Sequence, residues 1–312
     1  METLLKQTTA YRLLQNEARA DRLANTYLLL FNDERNLRFA LKQFAKLFFD
    51  GSERTNGRID RENHPDCLFF PEEGKAIDRD VAAAISEESC LGAVEGSRKV
   101  FVLDNFHRAS AVVQNKLLKL LEEPPAGVYF LLGATVEFPL LATVKSRASK
   151  LEIPPFSEEQ VAACLQRIYP TCNNAALYAS ASEGMVGRAQ TLLADGDYAE
   201  LRRKIFACAA ANSANIPSVS RALNGVKEKG EAISLLRRTY RDMLFYRTGQ
   251  PYGGELPEDL KKAATEFSPQ TLIFALDVFA EAEKQLSFNA NLAQCVEVGL
   301  WKIDKEKRKC KK

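Results

Sequence analysis

Several features that would assign this chain to a broad class are missing from it. No run of about 18 apolar residues occurs, so no helix able to cross a bilayer is predicted. No C-x-x-C pair occurs either. The seven cysteines, at 67, 90, 164, 172, 208, 295 and 310, are scattered and odd in number, which predicts reduced thiols and neither a disulfide frame nor a zinc site. An excess of one charge is also absent. With 43 basic and 41 acidic residues the net charge is +2, which argues against a strongly basic nucleic-acid binder and leaves room for a local basic patch. The opening Met1-Glu2-Thr3-Leu4-Leu5-Lys6 has no apolar stretch behind a basic start, so no secretory signal and a cytoplasmic location are expected. Internal repeats and low-complexity segments are not seen. What is present is a globular balance, 46% hydrophobic and 27% charged over 312 residues, enough for about two domains.

Short apolar runs alternate with helical patterns as far as about residue 153. Tyr27–Phe31, Cys67–Phe70, Val100–Leu103 and Val128–Leu132 are short apolar runs of strand length, the first of which suits a parallel strand covered on both faces, and Lys150–Ile153 is expected as a fifth strand. From Leu37, apolar residues fall at Ala40, Leu41, Phe44, Leu47 and Phe48, a helical spacing. A further helix is expected from the cap Ser110 to Glu123, stopped by Pro124-Pro125. This alternation predicts a three-layer α/β domain with a parallel sheet. Pro154-Pro155 is the clearest linker, and Ser157-Glu158-Glu159-Gln160 has capping-box spacing. Beyond it the pattern is helical, with loops expected at Gly249–Gly254 and near Pro269. The dense apolar positions from Leu272 to Phe279 suggest a helix buried on more than one side. Lys302–Lys312 carries seven basic and two acidic residues and is expected to be a solvated, frayed terminus.

The stretch Lys99–Phe156 holds Gln114-Asn115, Leu117-Leu118-Lys119, Leu121-Glu122-Glu123-Pro124-Pro125, Leu140-Leu141, Thr143 and Ser146-Arg147 in that order. This ordered set closely resembles bacterial clamp loaders of the AAA+ class. His64-Pro65-Asp66 and Gly184–Ala189 also stand where that family has similar residues. The resemblance implies an AAA+ P-loop-type α/β domain over 1–155 and a small helical lid over 156–197. It further implies an all-α collar for oligomerisation over 198–302, with a basic tail over 303–312. Leu272, Phe279 and Trp301 are the expected collar-interface residues.

Departures from the family pattern narrow the role. A phosphate loop needs G-x-x-x-x-G-K-[ST], because glycines let backbone N–H groups reach the phosphates and lysine neutralises them. Asn32-Asp33-Glu34-Arg35-Asn36-Leu37-Arg38-Phe39 has neither glycine nor lysine, and no glycine precedes Gly51. Active members carry Asp-Glu at the end of the third strand, whereas here it is Asp104-Asn105, and an amide is no general base. Asp104 is read as a strand-end carboxylate capping local backbone donors. The family's four-cysteine zinc module has no counterpart, since Asp50–Asn63 contains no cysteine, and His64 is read as a turn residue. Arg188, in the position of a lid arginine, is expected in a salt bridge or an interface.

Arg147 is retained, with Ser146 as its motif neighbour and Ala148 where the family has cysteine. In the family this arginine reaches the nucleotide of an adjacent subunit. The resemblance therefore implies a stator with no cofactor and no ATPase of its own. It would lend Arg147 in trans to a gamma/tau subunit that binds ATP. Its partners would be gamma/tau, delta and the beta sliding clamp, within a hetero-pentamer of DNA polymerase III that acts on primed DNA. Two alternatives stay open: an active AAA+ ATPase with an unusual phosphate loop, and a degenerate interaction module outside replication.

Overall fold

The computed structural model describes residues 1–72, 75–172, 174–194, 198–226, 228–251, 256–288 and 290–309. These form two compact units, 1–190 and 191–312.

In the first unit the elements are α1 (Glu2–Gln7), α2 (Thr9–Arg19), β1 (Thr26–Phe31), α3 (Glu34–Ala45), α4 (Glu53–Asp60), β2 (Cys67–Phe70), α5 (Arg79–Ser89), β3 (Lys99–Leu103), α6 (Ala111–Glu122), β4 (Val128–Ala134), α7 (Ala142–Lys145), β5 (Ser149–Ile153), α8 (Glu158–Ile168), α9 (Ala175–Ala181) and α10 (Val186–Ala194). All five expected strands form, and they pair in parallel in the order β2-β3-β4-β1-β5. β1 is buried along its whole length, which is why its sequence is continuously apolar rather than alternating.

Leu28, Leu30, Phe101, Leu103, Phe130 and Leu132 point to one face, where they meet Ile85 of α5, Val113 and Leu117 of α6, and Val144 of α7. Phe101 and Phe130 stack there at 5.3 Å. On the other face lies α3. A Cβ added to Gly133 of β4 would come within 2.6 Å of Leu41 Cδ1, so the close approach of α3 to the sheet requires glycine at that position. The Ser110 hydroxyl caps α6 by accepting from Val113 N, and the helix ends before Pro124. The Ser157/Gln160 capping box opens α8. Gly184, at φ +81°, lies with no room for a side chain against the Phe156 carbonyl and the Pro155 ring, and Phe156 N donates to Gly184 O at 3.0 Å.

In the second unit the elements are α11 (Tyr198–Ala209), α12 (Ile216–Arg221), α13 (Lys229–Thr248), α14 (Glu258–Thr265), α15 (Pro269–Ser287) and α16 (Leu292–Lys309). Gly249 ends α13 in the left-handed conformation, at the start of the expected loop; positions 252–254 of that loop lie outside the described residues. Ser268 caps α15 and Pro269 occupies its first turn, where proline's missing N–H costs nothing.

Two expectations are corrected in this unit. Leu272 and Phe279 are not surface contacts, since both are 0% exposed. Phe279 stacks on Tyr240 of α13 at 5.6 Å, and Gly299 of α16 leaves its backbone open to the same ring. Their burial stabilises this unit itself. Of the expected interface residues, Trp301 alone is exposed, at 41%. The basic terminus is not frayed over its described part, because α16 continues to Lys309. Asp304–Arg308 pairs at i,i+4 and Glu306–Lys309 at i,i+3 support the helix. Lys307 Nζ also reaches Glu266 at 2.7 Å and sits 4.3 Å from the centre of the Phe267 ring. Residues 310–312 of the expected tail, and 195–197 at the end of the expected lid, lie outside the described residues.

Candidate functional site

The strand order reverses beside β1, and in open α/β sheets ligands bind at such a point, beyond the carboxyl ends of the strands. Here the residues just past β1 and β3 are Asp33 and Asp104, and each is already engaged. Asp33 is 3% exposed and caps α3. Its Oδ1 accepts from Asn36 N at 3.3 Å and its Oδ2 from Asn36 Nδ2 at 3.0 Å. Oδ2 also accepts from Gly187 N, in the first turn of α10, at 2.7 Å. An acidic group here is favoured by the positive end of the α3 dipole.

Arg38, one turn into α3, is bound on every side. Its Nε and Nη2 form a fork on Glu62 at 2.7 and 2.6 Å, and Nη1 donates to Pro71 O at 3.1 Å and to Asp104 Oδ2 at 3.3 Å. Lys42 Nζ adds a second cation to Glu62 at 2.8 Å. The hydrogen bonds from Arg38 pull the Glu62 carboxyl down to about 2. Asp104 moves upward because burial outweighs the Arg38 charge beside it. Asp104 thus carries a long-range cation that strand-end reasoning does not reveal. Asn105 is held at φ +52°, and its Oδ1 is buried with no hydrogen-bond partner among the described residues. These residues do not fit a nucleotide triphosphate with its metal. A carboxylate occupies the anion-attracting helix end, a guanidinium sits on the acidic residue that would face Mg²⁺, and the segment between β1 and α3 has no glycine to let backbone N–H groups approach phosphate.

The stretch Asp50–Asn63, where the resemblance would place a zinc module, holds α4, capped by Ser52. His64 Nδ1 accepts from Asp66 N at 3.1 Å, and its ring lies 4.8 Å from that of Phe49. Asp66, fully buried, gathers the backbone N–H groups of Val94, Glu95 and Gly96 at 2.6, 2.8 and 3.2 Å. His64-Pro65-Asp66 is therefore a turn that anchors the loop before β3. Among the described residues no group of three or more His, Cys, Asp or Glu is arranged to hold a metal ion.

Arg147 follows α7. Its Nη1 donates to Thr143 O at 3.0 Å and its Nη2 to Glu122 Oε2 at 2.9 Å, while its buried Nε has no partner among the described residues. The Ser146 hydroxyl donates to Thr143 O at 3.1 Å. Gln114 ties the same region together, with Nε2 donating to Ala109 O and Pro139 O and Oε1 accepting from Leu141 N, at 2.9, 3.0 and 2.9 Å. The two sequence blocks, Glu122-Glu123-Pro124-Pro125 and Ser146-Arg147, thus meet in space. Arg188 pairs with Glu183 at 3.2 Å. Sequence reasoning missed Arg38, Glu62 and Gly187. The signal for Arg38 was a cation in the stretch 32–39, where the phosphate-loop pattern needs glycine and which here forms the start of α3.

A family profile described as "DNA polymerase III, delta subunit" matches residues 6–157. The DNA polymerase III subunit delta' of Bacillus subtilis (strain 168) is 26% identical across 93% of this chain and 94% of its own length. The subunit delta' of Escherichia coli (strain K12) is 34% identical across 46% of this chain and 43% of its own. Among solved structures, a gamma subunit-related protein of Thermotoga maritima covers 94% of this chain and 99% of its own at 18% identity, with a TM-score of 0.45. Over nearly its full length the chain is thus similar to a DNA polymerase III subunit delta', and its first half matches the profile of that polymerase's delta subunit.

Proposed function

We propose that this chain is a non-hydrolysing stator of a AAA+ clamp loader. In this reading it binds no ATP. It stands beside a gamma/tau subunit in a hetero-pentamer that also contains delta, and the assembly opens the beta sliding clamp and places it on primed DNA. Names among its relatives support these partners, since tau of Bacillus subtilis is also similar, at 22% identity over 66% of this chain.

One contrast carries the reading. The charges at the chain's own strand ends are neutralised internally, Asp104 by Arg38 and the α3 terminus by Asp33. Arg147 is 30% exposed and held by Glu122 and by one carbonyl. A guanidinium reaching an adjacent γ-phosphate stabilises the charge that spreads over the transferring group, while the attacking water and the metal belong to the neighbour. Hydrolysis then depends on assembly. In the second unit, exposed Trp301 and Val298 on α16, together with Ile273 on α15, replace Leu272 and Phe279 as the collar contacts.

The test is reconstitution with cognate gamma/tau and delta. The chain should be required for clamp-stimulated ATPase while adding no nucleotide site of its own. A pentamer that binds one more ATP when this chain is present than its partners provide would overturn the reading.

A further inference from the structure

We propose that Asp33 is a built-in anion that latches α10 to α3, so that the small helical segment after the sheet is held closed on it without any ligand. This goes beyond the stator reading and does not rest on it, because it concerns the conformation of the isolated chain.

The Asp33 carboxylate is nearly buried, and its three donors come from two elements far apart in sequence. Asn36 N and Nδ2 belong to the start of α3, and Gly187 N belongs to the start of α10, 154 positions from Asp33. The shortest of the three contacts is the one that crosses between the elements. A charged acceptor makes such bonds roughly twice as strong as neutral ones. The first-turn N–H groups of α3 and α10 are donors that no intrahelical carbonyl can satisfy, so one carboxylate serves both helix ends. Gly187 is part of the device. A Cβ at that position would land on Asp33 Oδ1, with Arg35 Cβ at 2.7 Å and Asn36 Nδ2 at 2.9 Å. The Asn36 amide also lies 3.4 Å from Gln190 Oε1, one turn further along α10. The chemistry is that of a small oxyanion seated between two helix N-termini, with the oxyanion supplied by the chain. A nucleotide-binding protein needs its phosphate to bring such elements together. Here the chain supplies the anion itself.

Hydrogen exchange of the full-length protein, read by mass spectrometry with residue-level fragmentation, tests this. Two variants break the latch in different ways. D33A removes the anion, and G187A keeps every polar atom but adds a methyl group with no room. Both should speed exchange at residues 185–190 by at least about tenfold, as expected when charged hydrogen bonds that gate local opening are lost. β3 should keep the protection it has in the wild type, which separates local release from global unfolding. D33N serves as a milder third variant, since its amide keeps one acceptor but turns a donor toward the other N–H groups. Sodium formate, compared with chloride at equal ionic strength, should restore protection in D33A by seating a carboxylate in the vacated position. It should not do so in G187A, where the position is still filled. Wild-type exchange at residues 185–190 in both D33A and G187A overturns the latch. Formate that leaves D33A unprotected overturns the assignment of Asp33 as an anion surrogate.

Discussion

Glu122 and Arg147 are joined at 2.9 Å, from the last residue of α6 to the residue two beyond α7. The pair is half exposed, so its contribution to stability is small. Its effect is geometric, because it restrains a guanidinium that would otherwise sample many rotamers.

Replacing Arg147 with Ala should therefore leave fold and pentamer yield intact and lower clamp- and DNA-stimulated ATPase of the reconstituted loader. A single site that loses its finger slows by about 10³–10⁵, and other sites keep theirs, so the loss for the whole complex is partial. Lys should rescue little, because it keeps the charge and loses the planar fork. E122Q should reduce ATPase less than R147A does, at equal assembly. Full ATPase in assembled R147A would sink the trans role.

Mg-ATP titrated calorimetrically into the isolated chain should give no saturable heat. The basis is the engagement of Asp33 and Arg38 together with a glycine-free loop. A micromolar dissociation constant would revive an active ATPase.

Arg38 should govern acid sensitivity. Glu62 is held at about 2 from an ordinary 4.5, so its pairing stabilises the fold fully above pH 4.5 and loses that effect as pH falls through about 2. Asp104 shifts upward and works in the opposite sense, disfavouring the fold when ionised. R38M should lower stability at neutral pH, since it strips a cation from two carboxylates. It should also flatten the fall in urea midpoint between pH 4.5 and 2, though Lys42 keeps part of it. An unchanged slope would mean that Arg38 does not set the Glu62 carboxyl.

Phe279 and Trp301 should separate stability from assembly. F279A opens a cavity in a filled core and should cost about 3–5 kcal/mol. W301A removes a surface ring, so urea unfolding of the isolated chain should change by about 0.5 kcal/mol or less, while pentamer yield falls. Normal assembly of W301A would remove α16 from the collar contact.

These pairs mark how far the sequence could be read. β1 and β3 were legible because burial on both faces leaves a run such as Tyr27–Phe31 without a charged position, whereas the edge strand β5 alternates exposed Lys150 and Glu152 with buried Leu151 and Ile153. Caps at Ser110 and Ser157 were legible because their chemistry is local. The helix from Leu272 to Phe279 was recognisable as deeply buried, but apolar density looks the same whether a helix is covered by its own chain or by another. Lys302–Lys309 was misjudged from charge alone, since Glu266, which anchors Lys307, lies 41 positions earlier. The Arg38–Asp104 bond spans 66 positions and has no periodicity to betray it.

The engagement of Asp33 and Arg38 also bears on the mutational routes open to this chain. A phosphate-binding ancestor could lose its ligand one substitution at a time, but the return path is obstructed. Removing the Asp33 carboxylate strands buried N–H donors, at about 1–3 kcal/mol, before any phosphate can replace it. Removing Arg38 strips Glu62 and Asp104 of the cation they share before any Mg²⁺ site exists. Each backward step is harmful by itself and useful only in company. On the stator reading such a lineage is committed: selection can refine the subunit as a fixed part of its machine, but cannot readily turn it back into an engine.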